Sequence, residues 1–187
     1  SDFISMGKDV LDPENKLEKR IEKFHAGENN PEFLMKLMKD TSQNDFVFAQ
    51  KVSERYFKVI EKNELTKDDA GILLYFTKST DDENFKIFEK RKPELLKIIP
   101  ENVLNDFEKQ LRLTTIIQKA IDYTNVKIDN NYLVTEATKV IGDKDAKTLS
   151  SKLRMDFYFN NKDFSEYEKA AVEYYEVPAD FSAEELD

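Results

Sequence analysis

Apolar residues recur every three or four positions along almost the whole chain, the spacing of one face of an α-helix, and little interrupts it. Four glycines and five prolines stand among 187 residues, roughly 5% against a usual ~12%. A turn-rich β-sandwich needs more of both. The glycines Gly7, Gly27, Gly71 and Gly142 are isolated from one another. A phosphate-cradling or dinucleotide-binding turn needs several within about eight residues, so no cofactor loop is expected. There is no cysteine, which removes thiol catalysis, disulfides, thiolate zinc sites and iron–sulfur clusters from this chain. One histidine, His25, leaves no material for a multi-histidine metal site. With 38 acidic against 29 basic residues, a net of −9, a broad nucleic-acid footprint is not expected. No apolar run approaches the 18 or so residues of a membrane span. These features predict an all-α chain with a binding rather than a catalytic role.

The helices follow from caps and stripes. Phe3, Ile4, Val10 and Leu11 fit a short first helix, and Asp12-Pro13 reads as N-cap and first residue of the next, with Leu17, Ile21 and Phe24 inward and Gly27 as its stop. Asn30-Pro31 repeats the start signal before Phe33, Leu34, Leu37 and Met38. A helix over 45–62 turns Phe46, Ala49, Val52, Tyr56, Phe57 and Ile60 inward. Thr66 caps a helix carrying Ala70, Leu73, Leu74 and Phe76, and Ser79 to Asp82 cap one with Phe85 and Phe88. Pro93 opens a brief turn through Leu95 and Leu96. Pro100 starts a long helix with Val103, Leu104, Phe107, Leu111, Ile116, Ala120 and Ile121 inward. A break is expected at 124–128, then helices over 130–141, 145–159 and 163–176.

Short antiparallel helices in series build either a bundle or a solenoid of hairpins. Leu149, Leu153, Phe157 and Tyr158, the polar turn Asn160 to Asp163, then Phe164, Tyr167, Ala170, Ala171 and Tyr174 follow the order of a tetratricopeptide-like hairpin. No tryptophan is present, and no strict 34-residue period recurs upstream, so any array is degenerate. The expected architecture is a tetratricopeptide-like, right-handed superhelix of antiparallel hairpins over 13–177.

Nine acidic residues and one lysine lie between Asp163 and Asp187, so the end of the chain holds nearly all the net negative charge. It reads either as a solvated face and tail or as a docking segment for a basic surface. Asp68-Asp69 and Asp81-Asp82-Glu83 coincide with helix starts, where carboxylates complement the dipole; a hard cation is the other reading. His25 sits where a ring caps a helix end. Tyr174, Tyr175, Phe159 and His25 form the candidate protein-contact set, though helical spacing predicts several of them to be buried.

The opening Ser1 to Pro13 resembles the junction in bacterial thioredoxin-like, thiol-disulfide oxidoreductase proteins where the last thioredoxin helix, of the form Phe-Ile-x-x-Gly-Lys-x-Ala-Leu, runs through Asp-Pro, or a variant of it, into a C-terminal helical domain. Leu17, Arg20, Ile21, Phe24, Gly27 and Asn30 to Leu34 resemble the first hairpin of that domain, and Tyr167 to Tyr174 its close. The Cys-x-x-Cys, the cis-proline turn and the strands of the thioredoxin fold are missing. The resemblance implies that residues 1–12 are the remnant of a preceding thioredoxin-like domain, 13–177 the appended helical domain and 178–187 an acidic tail. It implies an envelope or periplasmic location and a role presenting client proteins to a tethered redox centre. A freestanding helical-repeat scaffold with an unrelated partner, and a helical enzyme using carboxylates or tyrosines, are the competing readings.

Overall fold

The computed structural model describes residues 16–176. Among these the secondary structure is nine helices and one two-stranded antiparallel ladder, so the fold is all-α. The chain divides into two compact units between Leu104 and Asn105, inside the sixth helix. The expected helix over Phe3 to Leu11, the Asp12-Pro13 start and the tail beyond Pro178 lie outside the described residues.

In the first unit, α1 spans Leu17–His25, α2 Pro31–Thr41, α3 Phe46–Val59, α4 Lys67–Phe76 and α5 Glu83–Leu95, and α6 (Glu101–Ala120) begins there. Local chemistry sets most of these ends. Gly27, at φ +99°, closes α1 as a Schellman motif: its N–H donates to the Phe24 carbonyl and the Glu28 N–H to that of Lys23, both at 3.0 Å. The Asn30 side chain accepts the Phe33 N–H with Pro31 at the first helical position, and Asp45 accepts the Phe48 N–H. Thr66 and Asp69 form a reciprocal capping box at α4. Leu34, Leu37, Met38, Ala49, Val52, Leu73, Phe88 and Leu95 are fully buried and make the core.

Several expectations fail here, among them Leu17, which its spacing places inward but which is exposed. Pro93 lies inside α5 rather than opening a turn. Its fixed φ suits a helix, and in the last turn it costs only one hydrogen bond, while buried Arg91 and Leu95 on either side hold that turn against the core. Asp82 precedes α5 without capping it by its side chain; its carboxylate faces back and accepts the Lys78 and Ser79 N–H groups at 2.9 and 3.0 Å. Helix α3 stops at Val59, short of Lys62.

Helices α2, α4 and α6 begin at residues 31, 67 and 101, and α1, α3 and α5 end at 25, 59 and 95. Each series advances by thirty-four or thirty-six residues, a spacing that the side chains themselves do not repeat.

The second unit holds the rest of α6, strands β1 (Ile121–Asp122) and β2 (Lys127–Ile128), α7 (Asn130–Ile141), α8 (Asp143–Asn160) and α9 (Phe164–Glu176). The expected break is a tight ladder pairing Ile121 with Ile128 and Asp122 with Lys127, so Ile121 leaves the helix it was assigned to. The Asp122 carboxylate folds the turn by accepting the N–H groups of Thr124 and Asn125 and the Asn125 amide. Val103 is exposed rather than inward. Asp129 caps α7, and Gly142, at φ +88°, ends α7 and starts α8 two residues earlier than expected, its carbonyl accepting the Ala146 N–H. The core gathers Ile116, Ala120, Ile128 and Leu133 against Leu153 and Phe157, beside Leu113, Ala137 and Ala146. Helices α8 and α9 pack as an antiparallel hairpin on the buried Ala170. Its turn is a second Schellman closure with Lys162 at φ +60° in the glycine position: the Lys162 N–H donates to Phe159 and that of Asp163 to Tyr158.

Candidate functional site

One concavity of the second unit is a cleft of about 560 Å³ floored by α8 and walled by the start of α7 and by Glu173 and Glu176 of α9. Lys147, Ser150 and Arg154, spaced three and four apart, share one face of α8. They meet Asn130, Asn131 and Val134 from α7 and Glu173 and Glu176 from α9. A polar chain crosses the floor. The Arg154 Nε donates to Ser150 Oγ at 3.1 Å, Ser150 Oγ donates to Asn130 Oδ1, and the Arg154 Nη2 pairs with the Glu173 carboxylate. Arg154 is 8% exposed and Ser150 1%, so the guanidinium is a buried charge whose partners fix its place. Lys147 reaches Asp143 at 3.1 Å, both well exposed. Two cations and two carboxylates line the cleft, and the charges cancel. Sequence reasoning followed the apolar stripe of this helix, Leu149, Leu153 and Phe157, and missed the polar stripe beside it. A second set of residues at the same spacing, through 147, 150 and 154, was the available signal.

The candidate contact residues are placed differently from the expectation that several are buried: none of the four is. Phe159 is 55% and Tyr175 70% exposed, His25 is exposed and Tyr174 half-buried. The core-facing side of α9 is taken by Ala170, which turns Phe164, Val172 and Tyr175 outward. At the tip of the α8–α9 hairpin, Phe159 packs edge-on against Phe164 with centroids 5.9 Å apart and lies 5.5 Å from Tyr167. Tyr174 and Tyr175 contact each other at 5.3 Å. His25 belongs to the first unit, where its ring meets Phe24 and Phe48 at 5.5 and 5.8 Å; the Arg55 guanidinium covers Phe24 at 3.7 Å.

Of the acidic groups, Asp69 serves a helix start, while the Asp82 carboxylate turns back to the Lys78 and Ser79 N–H groups. Asp69 is buried; one carboxylate oxygen accepts the Thr66 N–H and the other the Tyr56 hydroxyl at 2.6 Å. Burial, then the hydrogen bond to Asp69, pushes the Tyr56 phenol well above the usual tyrosine range. Burial also raises the Glu54 carboxyl, helped by the Glu83 charge. Among the described residues no three histidine, aspartate or glutamate side chains form a metal-holding group, and no helix is long and apolar enough to cross a membrane. On α9, Glu166 pairs with Lys169 and Glu173 with Arg154. Comparison with protein-family models, curated proteins and solved structures returned no match.

Proposed function

We propose that this chain is a non-catalytic protein-interaction domain, appended to a thioredoxin-like redox domain in the cell envelope or periplasm, that holds client proteins near the redox centre. The observation that carries the interaction role is the solvent-facing aromatic tip of the α8–α9 hairpin, where Phe159 and Phe164 are each more than half exposed beside Tyr167. Large apolar side chains grouped at the surface are the usual anchors of a protein interface. The hairpin spacing of thirty-four to thirty-six residues supports a tetratricopeptide-like array, and the small Ala170 under α8 is the residue type such a hairpin needs. The redox tether rests on the opening and closing segments that resemble thioredoxin-like proteins. With no cysteine, this chain contributes position, not electrons; a short tether would raise the local client concentration to about millimolar.

The test is deletion of this domain from the parent protein, with activity on a small disulfide substrate and on oxidised client proteins measured side by side. The expected result is an unchanged small-substrate rate and slower client turnover, reproduced by replacing Phe159, Phe164 and Tyr175 with alanine. Equal client turnover overturns the proposal. The hairpin spacing equally suits a freestanding scaffold, and a parent gene with no Cys-x-x-Cys upstream of Ser1 would select that second reading.

A further inference from the structure

We propose that the cleft between α7, α8 and α9 binds a short peptide-like zwitterion, its carboxylate toward Lys147 and the amides of Asn130 and Asn131, its ammonium toward Glu173 and Glu176. This inference is independent of the aromatic tip and of the redox tether.

Charge selects the ligand class. A lone anion drawn to Lys147 or Arg154 would also meet two carboxylates, and a lone cation drawn to Glu173 or Glu176 would meet two basic groups. The signs are sorted by wall, however: both cations stand on α8, both carboxylates on α9, and neutral amides on α7. A ligand with one positive and one negative end satisfies both walls at once. The start of α7 adds a positive dipole end to the amide wall, where the ligand's carboxylate lies.

Size and rigidity agree. The volume of about 560 Å³ falls within the common range for small-ligand sites. Lys147 and Arg154 stand seven positions apart on α8, so the floor runs about 10 Å along the helix, room for the length of roughly three extended residues. Val134 supplies an apolar strip for the ligand's middle. Arg154 is held from two sides by Ser150 and Glu173, and Ser150 in turn by Asn130, so the floor is organised before any ligand arrives. Lys147 and the Glu173 side chain are half exposed, so both are reachable from solvent.

Trialanine, its N-acetylated form and its C-amidated form are titrated into the whole chain, followed by 15N-resolved NMR and calorimetry. Free trialanine is expected to shift the resonances of Asn131, Ser150 and the Arg154 Nε, and removing either end charge to weaken binding about tenfold or more, as loss of a charge-assisted hydrogen bond does. Lys147→Met should abolish the preference for carboxylate over amide while keeping the preference for a free ammonium, and Glu176→Gln the reverse. Both side chains are at the surface, so the variants fold as the parent, checked by far-ultraviolet circular dichroism. Three results overturn the proposal: no shift at about 10 mM peptide, equal binding of either end-blocked peptide, or the same shifts with acetate or methylammonium alone.

Discussion

The Tyr56–Asp69 pair offers a sharp test of how the first unit is held together. Both residues are buried, 7% and 6% exposed, and the carboxylate serves two masters, the Tyr56 hydroxyl and the Thr66 N–H. Asp69→Ala removes half of the capping box, about 1 kcal/mol, because the Thr66 hydroxyl still accepts the residue 69 N–H. It also strands a buried hydroxyl, about 1–3 kcal/mol. The total is about 2–4 kcal/mol. Tyr56→Phe alone costs about 1 kcal/mol, and in its background the hydroxyl is gone, so Asp69→Ala should cost only the cap. The coupling energy is therefore about 1–3 kcal/mol. Urea unfolding followed at 222 nm measures it, with the first unit's transition fitted separately where the two units unfold in two steps. For an m value of about 1–2 kcal/mol/M, Asp69→Ala moves the midpoint by roughly 1–4 M. If Asp69→Ala costs the same in both backgrounds within about 0.3 kcal/mol, the hydroxyl does not depend on the carboxylate and the reasoning is wrong.

The same phenol sets an alkaline limit. Because its folded value is raised by burial and by Asp69, its stabilisation is complete below about pH 10, where unfolded tyrosine keeps its proton, and is lost as pH rises toward the higher folded value; urea midpoints from pH 9 to 11 should fall less steeply in Tyr56→Phe. Three substitutions at helix ends and faces should differ in sign. Gly27→Ala forces a side chain into φ +99° and should cost about 1–2 kcal/mol, Gly71→Ala in open space inside α4 should gain about 0.5–1 kcal/mol, and Lys162→Gly should gain about 1 kcal/mol by relieving φ +60°, all read from thermal or urea midpoints. Arg91→Met should cost about 2–4 kcal/mol, since buried carbonyls lose their donors, and Arg55→Met about 1–2 kcal/mol, since its acceptors lie nearer to water and its loss also removes the contact with Phe24; equal costs in urea would contradict this ordering.

The all-α fold was legible because helix starts are written locally. Asn30-Pro31, Asp45, Thr66 and Asp129 each cap from within four residues, and Gly27 and Gly142 carry the positive φ that a stop needs. Pro93 was misread because its tolerance depends on Arg91 and Leu95 being pinned by distant residues. The ladder at 121–128 was legible only as a break, since two paired residues per strand leave no alternation to read. The contact residues were misplaced for a related reason. Helical spacing says that Phe164, Ala171 and Tyr175 share a face, but only the packing of Ala170 against α8 decides that this face looks outward. The cleft was missed because its polar residues come from three helices, and Arg154 meets Glu173 and Asn130 only through the tertiary fold.

The arginines show how a hairpin spacing can persist without a repeated sequence. Arg55 on α3 donates to the Phe24 carbonyl at the end of α1, and Arg91 on α5 to the Ile60 carbonyl at the end of α3, each thirty-one residues back. What recurs is a physical demand: the last carbonyls of the first helix in each hairpin lack partners within their own helix. At α1 the Schellman closure around Gly27 already supplies two N–H donors, so Arg55 is a partly exposed supplement that also covers the Phe24 ring. At α3 no glycine stands in that place, and Arg91 is 4% exposed and reaches the carbonyls of Ile60, Glu61 and Asn63. The α3 turn also closes on itself, the Asn63 N–H donating to the Ile60 carbonyl at 2.9 Å, so Arg91 adds to a closed turn rather than replacing it. In both places the arginine ties the end of one helix to the helix after next, α1 to α3 and α3 to α5, through contacts that the spacing of apolar residues does not encode.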